Sequence, residues 1–467
     1  MLKMENWTEL SNINVEEIVN FYDNVLDKDT EFNPEIFSNI NRYGFKINDD
    51  THKHESEQIE NQKKLDQRRR TKWLKMLKNW EQFEVSQKLR QRVFKSIPLV
   101  FRTYIWPKLL NSDKLEQKYR GLYNHIVRIA KVYVKPSIIQ QIHLDIPRAL
   151  TGHPQFQNFS KMHVYLFNIM LAYAFFDVRT SYCQGMCTLG AILLLHLPEE
   201  CTFWAFVTLT MGDRYQLQGY YYAGFPKLFT IGTQIEKQLS KMNHKLFKHI
   251  IDVNVSIKDM LLVKWAFTLF EGTFRHTFLL RIWDIYFMYG EQVIIYVATL
   301  IFVQNKEKLL ASNFEELLNF FYSYKNVMFD EEEFIFKLKE LLLSQKIETM
   351  RLSCDFCTDE VCLLVERFLK EYPTAARHSQ SCKSINKPKS FNHSKSHKFD
   401  LNNRTMDYPP TRDIFSNHIQ VTPYENDKKR LTSCQEIFDH SSMSKISEST
   451  HDKYKTDTYT TDSTKNT

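Results

Sequence analysis

Two short motifs hold the side chains of this sequence that are best suited to chemistry. They are DIPR at residues 145–148 and YCQG at residues 182–185. The Arg148 guanidinium keeps its charge and has five fixed donors, and the Gln184 amide can both donate to and accept from a water molecule. Hydrolysis of GTP by a slow GTPase needs two such groups. One neutralises charge on the γ-phosphate, and the other holds the attacking water in line.

The sequence has no phosphate-binding loop of its own. Gly185 and Gly190 have the spacing of such a loop, but Ala191 and Ile192 stand where it requires lysine and serine or threonine. No Ser-His-Asp or Cys-His grouping favours a hydrolase instead. The arginine and the glutamine would therefore act on a nucleotide that another protein carries.

Each motif also has a purely structural explanation. Arg148 could pair with Asp145 three residues earlier on a helix face, although Pro147 favours a helix end or the start of a loop. Ser181 to Gln184 have the Ser-x-x-Gln form of a capping box that would open a helix in the apolar run that follows. Neither motif decides between structure and function by itself.

A third motif precedes these two. Ser96 has the position of a helix N-cap, with Pro98 in the first turn of a helix that contains Arg102 and Trp106. At this spacing a guanidinium can lie over an indole ring or reach an acidic partner. We therefore predict a structural role for both side chains.

The three motifs in this order resemble the signature motifs of the TBC domain, the Rab GTPase-activating fold. The matching patterns are RxxxW at 102–106, IxxDxxR at 142–148 and YxQG at 182–185. Trp265 with Leu269 and Phe270, and RIWD at 281–284, resemble later helices of the same family. Residues 42–45 and 70–80 are similar to the RN-tre-type subgroup, so the resemblance covers about residues 40–345.

The resemblance implies an all-α domain that stimulates GTP hydrolysis by a Rab-family GTPase in its GTP form. Arg148 would be the arginine finger and Gln184 the glutamine finger, while Asp145 and Tyr182 would orient their loops and Gly185 would support the second one. GTP and Mg²⁺ would belong to the partner. The chain itself would then have no cofactor and no metal, and would activate an enzyme rather than be one.

Two positions differ from the family pattern. Ser96 stands where the family usually has glycine, and a serine could cap the helix there instead. Ala149 stands where threonine is common, so a hydroxyl that could bond to the local backbone is missing. This second difference leaves open an alternative function, a scaffold of the TBC fold that binds a Rab in membrane trafficking without activating it.

Composition favours helices independently of the family. The chain has only 11 glycines in 467 residues, too few for a turn-rich β-sandwich. Segments with apolar residues three and four positions apart predict amphipathic helices. These segments are Cys201–Leu209, Lys237–Ile251, Met260–Phe270 and Phe314–Tyr322. A further segment, Val293–Val303, is apolar on nearly every side and predicts a buried central helix.

The chain divides by composition into four stretches. Residues 1–57 form a polar lead-in with a short helical pattern at Val15–Leu26, and residues 58–345 form the TBC domain with its preceding basic helix. We expect this domain to consist of two helical subdomains. A trailing helix falls in residues 346–372. Residues 373–467 hold too few large apolar side chains to offset the entropy of ordering, which predicts a disordered tail.

No apolar run reaches the roughly 18–20 residues of a membrane span, and the start lacks a signal-peptide core. We therefore expect a cytoplasmic protein that is recruited to endomembranes. Cys183, Cys187 and Cys201 lie in apolar context, as reduced core cysteines do. Cys354 and Cys357 supply only half of a zinc site.

The net charge is +7, and much of the basic character is local. A predicted helix carries Arg68–Arg70, three lysines, and the tryptophans Trp73 and Trp80. Such a helix could bind an anionic membrane surface, so peripheral membrane association stays open. We favour packing of the tryptophans on the core with the lysines in water. Nothing in the sequence indicates nucleic-acid binding.

Overall fold

Every regular element in the described part of the chain is a helix, which confirms the all-α fold class. The computed structural model describes residues 14–27, 43, 45, 52–157, 160–258, 262–344 and 359–373, all within the unit Met1–Lys383. The α-helices are α1 Val15–Asp27, α2 His52–Lys78, α3 Trp80–Phe83, α4 Gln87–Val93, α5 Leu99–Leu110, α6 Ser112–Lys118, α7 Leu122–Tyr133, α8 Pro136–Asp145, α9 Lys161–Phe176, α10 Met186–Leu194, α11 Glu199–Met211, α12 Gln218–Tyr221, α13 Pro226–Met242, α14 His244–Asp252, α15 Leu262–Phe267, α16 His276–Tyr289, α17 Gln292–Gln304, α18 Lys306–Leu310, α19 Phe314–Tyr322, α20 Glu331–Ser344 and α21 Asp359–Glu371. Short 3₁₀ helices include Ile146–Arg148, Pro154–Phe156 and Tyr324–Asn326.

The core is built around helices that are apolar on all sides. Helix α9 packs against α1, α7, α8, α10 and α11, and α17 packs against α13, α16 and α20. All residues of Val293–Phe302 in α17 are buried, so the predicted central helix is confirmed. A helix with no polar face gains most by surrounding itself with other helices, as α9 and α17 do.

Most predicted helices are present. Phe314–Tyr322 coincides with α19, Cys201–Leu209 lies within α11, and Val15–Leu26 lies within α1. The prediction of one continuous helix over Lys237–Ile251 is wrong. The chain breaks between α13 and α14 at Asn243, whose side chain accepts the Leu246 N–H at 3.0 Å and caps a new helix.

The helix predicted over Met260–Phe270 ends earlier than its periodicity indicates, and residues 260 and 261 lie outside the described part of the chain. Helix α15 covers Leu262–Phe267, and Leu269 and Phe270 then adopt φ values of +46° and +67°. The Trp265 ring is buried against Phe302 and Phe321. The left-handed backbone after α15 ends the helix although the side chains keep the apolar pattern.

Some predictions fall outside the described residues. These are the Cys354 and Cys357 pair and the disordered tail from residue 374 onward. The trailing helix is described only as α21. Within the described part, no helix is both long enough and apolar enough to cross a bilayer.

The basic helix buries its tryptophans. It belongs to α2, where Trp73 is buried, and Trp80 is buried at the start of the next helix. Lys72 and Lys75 are exposed on the other side. The predicted packing of the tryptophans on the core is therefore confirmed. The three cysteines Cys183, Cys187 and Cys201 are free thiols in buried or half-buried positions.

One buried carboxylate joins two segments that are distant in sequence, α16 and the stretch from Ile97 to Trp106. Asp284 of α16 is fully buried and accepts from Arg102 Nε at 3.0 Å, Arg102 Nη2 at 2.9 Å and Trp106 Nε1 at 2.8 Å. It also accepts the backbone N–H of Ile97 at 2.9 Å. Arg102 and Trp106 thus have the acidic partner that their spacing allowed, and we call this arrangement the Asp284 node.

Ser96 does not cap the helix, contrary to the sequence prediction. It is buried with φ +71°, and helix α5 begins three residues later, after Pro98. Its hydroxyl instead accepts from Arg102 Nη2 at 3.4 Å. The left-handed backbone excludes the extended conformation of an N-cap. Glycine adopts that backbone without cost, which accounts for the glycine that the resemblance led us to expect here.

We predict that Asp284→Ala lowers the free energy of unfolding by about 3–5 kcal/mol, because it leaves the Arg102 guanidinium buried without a counter-charge. Urea denaturation measures this change. The matched control is Glu332→Ala. The Glu332 carboxylate lies 2.9 Å from Arg281, and the Glu332 side chain is 78% exposed. This substitution should cost no more than about 1 kcal/mol. Equal losses in the two variants would contradict a central role for the node.

The burial of His163 makes the stability of the fold depend on pH. His163, at the start of α9, accepts the Ser160 N–H on Nδ1 at 3.0 Å, and burial lowers its pKa to about 4. Because the unfolded chain binds this proton near pH 6.5, stability is full above that pH and falls as the pH drops toward 4. The contribution lost at pH 5 is about 2 kcal/mol.

His163→Gln keeps an acceptor at the same capping position but cannot titrate. Urea denaturation at pH 7 and pH 5 should show a smaller loss of stability for this variant than for the wild type. His143, whose pKa burial also lowers to about 4, continues to titrate in both proteins. An unchanged pH dependence would refute the assignment to His163.

Candidate functional site

Arg148 lies just beyond the end of a helix. Helix α8 ends at Asp145, and the chain continues as a single 3₁₀ turn, Ile146–Arg148, before Ala149 turns extended with φ −76° and ψ 120°. Pro147 has no N–H to continue the α-helical pattern. The Arg148 side chain is 53% exposed at this corner and forms an ion pair with Asp145. The pairing considered from the sequence is therefore present, but on a corner rather than on a helix face.

Gln184 lies in the loop between α9 and α10. The capping-box explanation of this residue is wrong, because α10 begins at Met186 with Gly185 as its N-cap and Ser181 has φ +54°. The Gln184 side chain is half-buried and forms no hydrogen bond with the part of the chain that the structure describes. Its amide groups are therefore not committed to capping the helix.

The start of this loop is tied down by Asp177. Its carboxylate accepts from the Tyr173 hydroxyl at 2.9 Å and from the Thr180 N–H at 3.2 Å. Its carbonyl accepts the Ser181 N–H at 2.7 Å. These bonds hold the chain that leads to Gln184 against the end of α9.

A single buried carboxylate joins the two motifs. The Tyr182 hydroxyl donates to Asp145 Oδ2 at 2.5 Å, and Asp145 Oδ1 accepts from Arg148 Nη2. Asp145 and Tyr182 are both buried. The structure therefore brings Asp145, Arg148 and Tyr182 together, and Gln184 and Gly185 follow Tyr182 in the same loop. We call the bond between the first and the third the Asp145–Tyr182 link.

Burial sets the protonation behaviour of the link. It raises the pKa of Tyr182 well above its ordinary value, with nearby Cys187 and Asp145 adding to the shift. The tyrosine therefore stays protonated and can donate. Burial also raises the pKa of Asp145, while the Arg148 guanidinium and the Tyr182 hydroxyl oppose that shift.

Gly185 fits closely against another segment. Its φ is +100°, and a Cβ added there would lie 3.4 Å from Phe267 Cβ and 3.5 Å from the Phe267 carbonyl oxygen. That carbonyl accepts the Tyr221 hydroxyl at 3.1 Å. A larger residue would be strained by this left-handed backbone, so glycine allows the turn that follows Gln184.

Arg102 and Trp106 are not part of the Asp145–Tyr182 link. They form the Asp284 node, and among the described contacts they share no hydrogen bond or ion pair with the Asp145–Tyr182 link. The sequence does not identify Asp284 as their partner, although this residue ends the RIWD motif at 281–284. It also gave no sign that Tyr22 of α1 would reach His143, two residues before Asp145.

The segment that holds this site is similar to a known domain family. Residues 100–310 match the model of the Rab-GTPase-TBC domain. TBC1 domain family member whacked of Drosophila melanogaster is 30% identical over 236 residues, which span 50% of this chain and 63% of that protein. The match therefore covers less than two thirds of that relative.

A solved structure gives the same fold. The crystal structure of the Chlamydomonas flagellar RabGAP TBC domain superposes with a TM-score of 0.54 and 18% identity, covering 64% of this chain and 98% of that chain. The all-helical fold thus has the TBC architecture. Arg148, Gln184 and the Asp145–Tyr182 link all lie within residues 100–310, the segment that matches the Rab-GTPase-TBC domain model.

We predict that Tyr182→Phe lowers the free energy of unfolding by about 1.5–3 kcal/mol, since it removes a buried hydrogen bond to a charged acceptor. The control is Tyr215→Phe, whose hydroxyl donates to the neutral Phe287 carbonyl at 2.6 Å. That bond should contribute about 0.5–1.5 kcal/mol. Urea denaturation compares the two, and a smaller loss at Tyr182 than at Tyr215 would refute the proposed strength of the link.

Proposed function

We propose that this chain is a GTPase-activating protein for a Rab-family GTPase in its GTP form, and that Arg148 and Gln184 complete the active site of that partner. The observation that carries the proposal is the Asp145–Tyr182 link. It fastens the Arg148 corner to the Gln184 loop, and each of these segments presents one side chain suited to phosphate or water.

The role proposed for Arg148 is electrostatic. Its guanidinium would leave Asp145 for the γ-phosphate, where it would neutralise the charge that develops in the transition state. An arginine supplied in trans is worth roughly a thousandfold to a hundred-thousandfold in rate, or about 4–7 kcal/mol of barrier. The exposure of the side chain and its position beyond the helix end support this role.

The role proposed for Gln184 is to orient water. Its carbonyl would accept from the attacking water and its amine would donate to the phosphate, in place of the residue that the GTPase itself carries. The free amide in the described structure and the left-handed backbone of Gly185 beside it support this role. GTP and Mg²⁺ would come with the partner.

The missing hydroxyl at position 149 does not favour the scaffold alternative. Ala149 is buried, and its N–H donates to the Ile146 carbonyl at 3.1 Å, which closes the turn that carries Arg148. The backbone thus shapes the corner without a side-chain hydroxyl. This supports an activator over a scaffold that only binds.

Two finer assignments belong to the same proposal. Membership of the RN-tre-type subgroup is proposed from the similarity of residues 42–45 and 70–80. Two residues of the first segment, Tyr43 and Phe45, pack on His276 of the domain. Recruitment from the cytoplasm to endomembranes would follow from the membrane attachment of a Rab partner.

The test is single-turnover hydrolysis by a panel of GTP-loaded Rab proteins, with binding measured in parallel. Wild type should stimulate one or a few of them. We predict that Arg148→Ala lowers the stimulated rate at saturation by about a hundredfold or more, and that Gln184→Ala does so by a similar factor, with the fold unchanged. Both side chains act mainly in the transition state, so binding should change little.

The matched control is Arg367→Ala. Arg367 is also exposed and also paired with a carboxylate one helical turn away, Glu371, but it lies on α21. It should stimulate like the wild type. Binding of a Rab without stimulation by the wild type would establish the scaffold instead. Loss of folding in the Arg148 or Gln184 variant would show that these residues have structural roles.

A further inference from the structure

Helix α1 lies far outside the residues that match the family model, yet it packs on the elements that carry the site. It covers Val15–Asp27, and its neighbours are α8 and α9. Helix α8 ends at Asp145 and leads directly to Arg148, and α9 leads into the loop of Gln184. A helix from the start of the chain thus contacts both supports of the site.

The contact centres on Tyr22, which is fully buried. Its ring stacks on Phe167 of α9, with centroids 4.0 Å apart and planes 11° apart. Its hydroxyl shares a hydrogen bond with His143 Nδ1 of α8 at 3.1 Å. One side chain of α1 therefore holds α8 and α9 in a fixed relation.

The contact between Tyr22 and His143 lies close to the residues of the site. His143 lies in the last turn of α8, two residues before the carboxylate that pairs with Arg148. Burial raises the pKa of Tyr22, and the nearby Cys187 thiol adds to that shift. Cys187 Sγ in turn lies 3.1 Å from the Tyr182 hydroxyl oxygen. Tyr22 thus borders the group of side chains that contains the Asp145–Tyr182 link.

Two further contacts fix α1 on this surface. Ile18, one turn before Tyr22, is buried, and Asp23 forms an ion pair with Lys131 of α7. Helix α1 has 13 residues, near the lower limit for a helix that is stable alone in water. Its helical state therefore depends on docking, and loss of the buried contacts should release the segment as a unit.

We propose that α1 is a positioning element for the arginine finger, and that Tyr22 acts through His143 to hold the last turn of α8 where Arg148 can reach the nucleotide of a bound GTPase. This inference rests on the proposed function. Release of α1 loosens the turn from Ile146 to Ala149 and lowers the rate of the chemical step, while the surface that binds the GTPase is unchanged.

The test uses the full chain with Tyr22→Phe and Tyr22→Ala. The first variant removes only the hydroxyl, and the second also removes the stack on Phe167. The matched control is Leu342→Ala, which removes a buried side chain from α20, a helix that packs on α17. Each protein is assayed for the maximal stimulated rate and the half-saturating concentration with the responsive Rab, and for amide hydrogen exchange across residues 142–150.

We expect Tyr22→Ala to lower the maximal rate about tenfold and to leave the half-saturating concentration within about twofold. A lower maximal rate with an unchanged half-saturating concentration indicates loss of an interaction that acts in the transition state rather than in binding. Exchange at Ala149, whose N–H closes the turn, should become faster. Tyr22→Phe should lie between the wild type and Tyr22→Ala, and Leu342→Ala should keep the wild-type rate.

An unchanged maximal rate in Tyr22→Ala would overturn the inference, and so would an equal loss in the control. Failure of the proposed function differs from failure of this inference, because the wild type itself would then stimulate no GTPase. In that event the exchange measurement decides whether α1 holds the turn. Faster exchange at residues 146–149 in Tyr22→Ala supports the coupling, and unchanged exchange there refutes it.

Discussion

The structure depends on the full satisfaction of one buried carboxylate. Asp284 accepts four hydrogen bonds, from both nitrogens that Arg102 presents, from the Trp106 indole and from the Ile97 backbone. A buried charge is costly unless it is paired and hydrogen-bonded, and here every bond reaches a segment near the start of the domain. The node therefore joins α5 and the turn before it to α16, which follows about 180 residues later. It also explains the left-handed backbone at Ser96, since that turn directs the Ile97 N–H toward the carboxylate.

Asp145, the second buried carboxylate, is paired with a more exposed arginine than Asp284 is. Asp145 binds Tyr182 on one oxygen and Arg148 on the other, but its arginine is half exposed, whereas Arg102 is enclosed. Solvent can hydrate the Arg148 guanidinium when it leaves the pair. The buried Asp145 carboxylate then keeps its hydrogen bond from the Tyr182 hydroxyl. The Arg102–Asp284 ion pair is thus enclosed and permanent, whereas the Arg148–Asp145 ion pair can dissociate. This difference in burial is consistent with a structural role for Arg102 and with the catalytic role proposed for Arg148.

Both carboxylates are supported from outside their own motifs. The Asp145–Tyr182 link is bordered by α10 through Cys187 and by α1 through Tyr22 and His143. Packed helices transmit small displacements because the interior has few voids in which a shift can be absorbed. The end of α8 is therefore held by a helix from the beginning of the chain as well as by the domain itself. An arginine on an exposed corner can then keep a defined position without being buried.

The sequence by itself determined the helical class, the buried helix α17, the exact span of α19 and the two motifs of the site. Periodicity reports which side chains leave water, and that information is local. Tertiary structure decided the break at Asn243, the positive φ values at Ser96 and Ser181, and the choice of Asp284 as the partner of Arg102. Local patterns predicted caps at both serines, but packing against distant segments imposed another backbone. Contacts such as Tyr22 with His143, 121 residues apart, depend on how helices meet in space, which no spacing along the chain records.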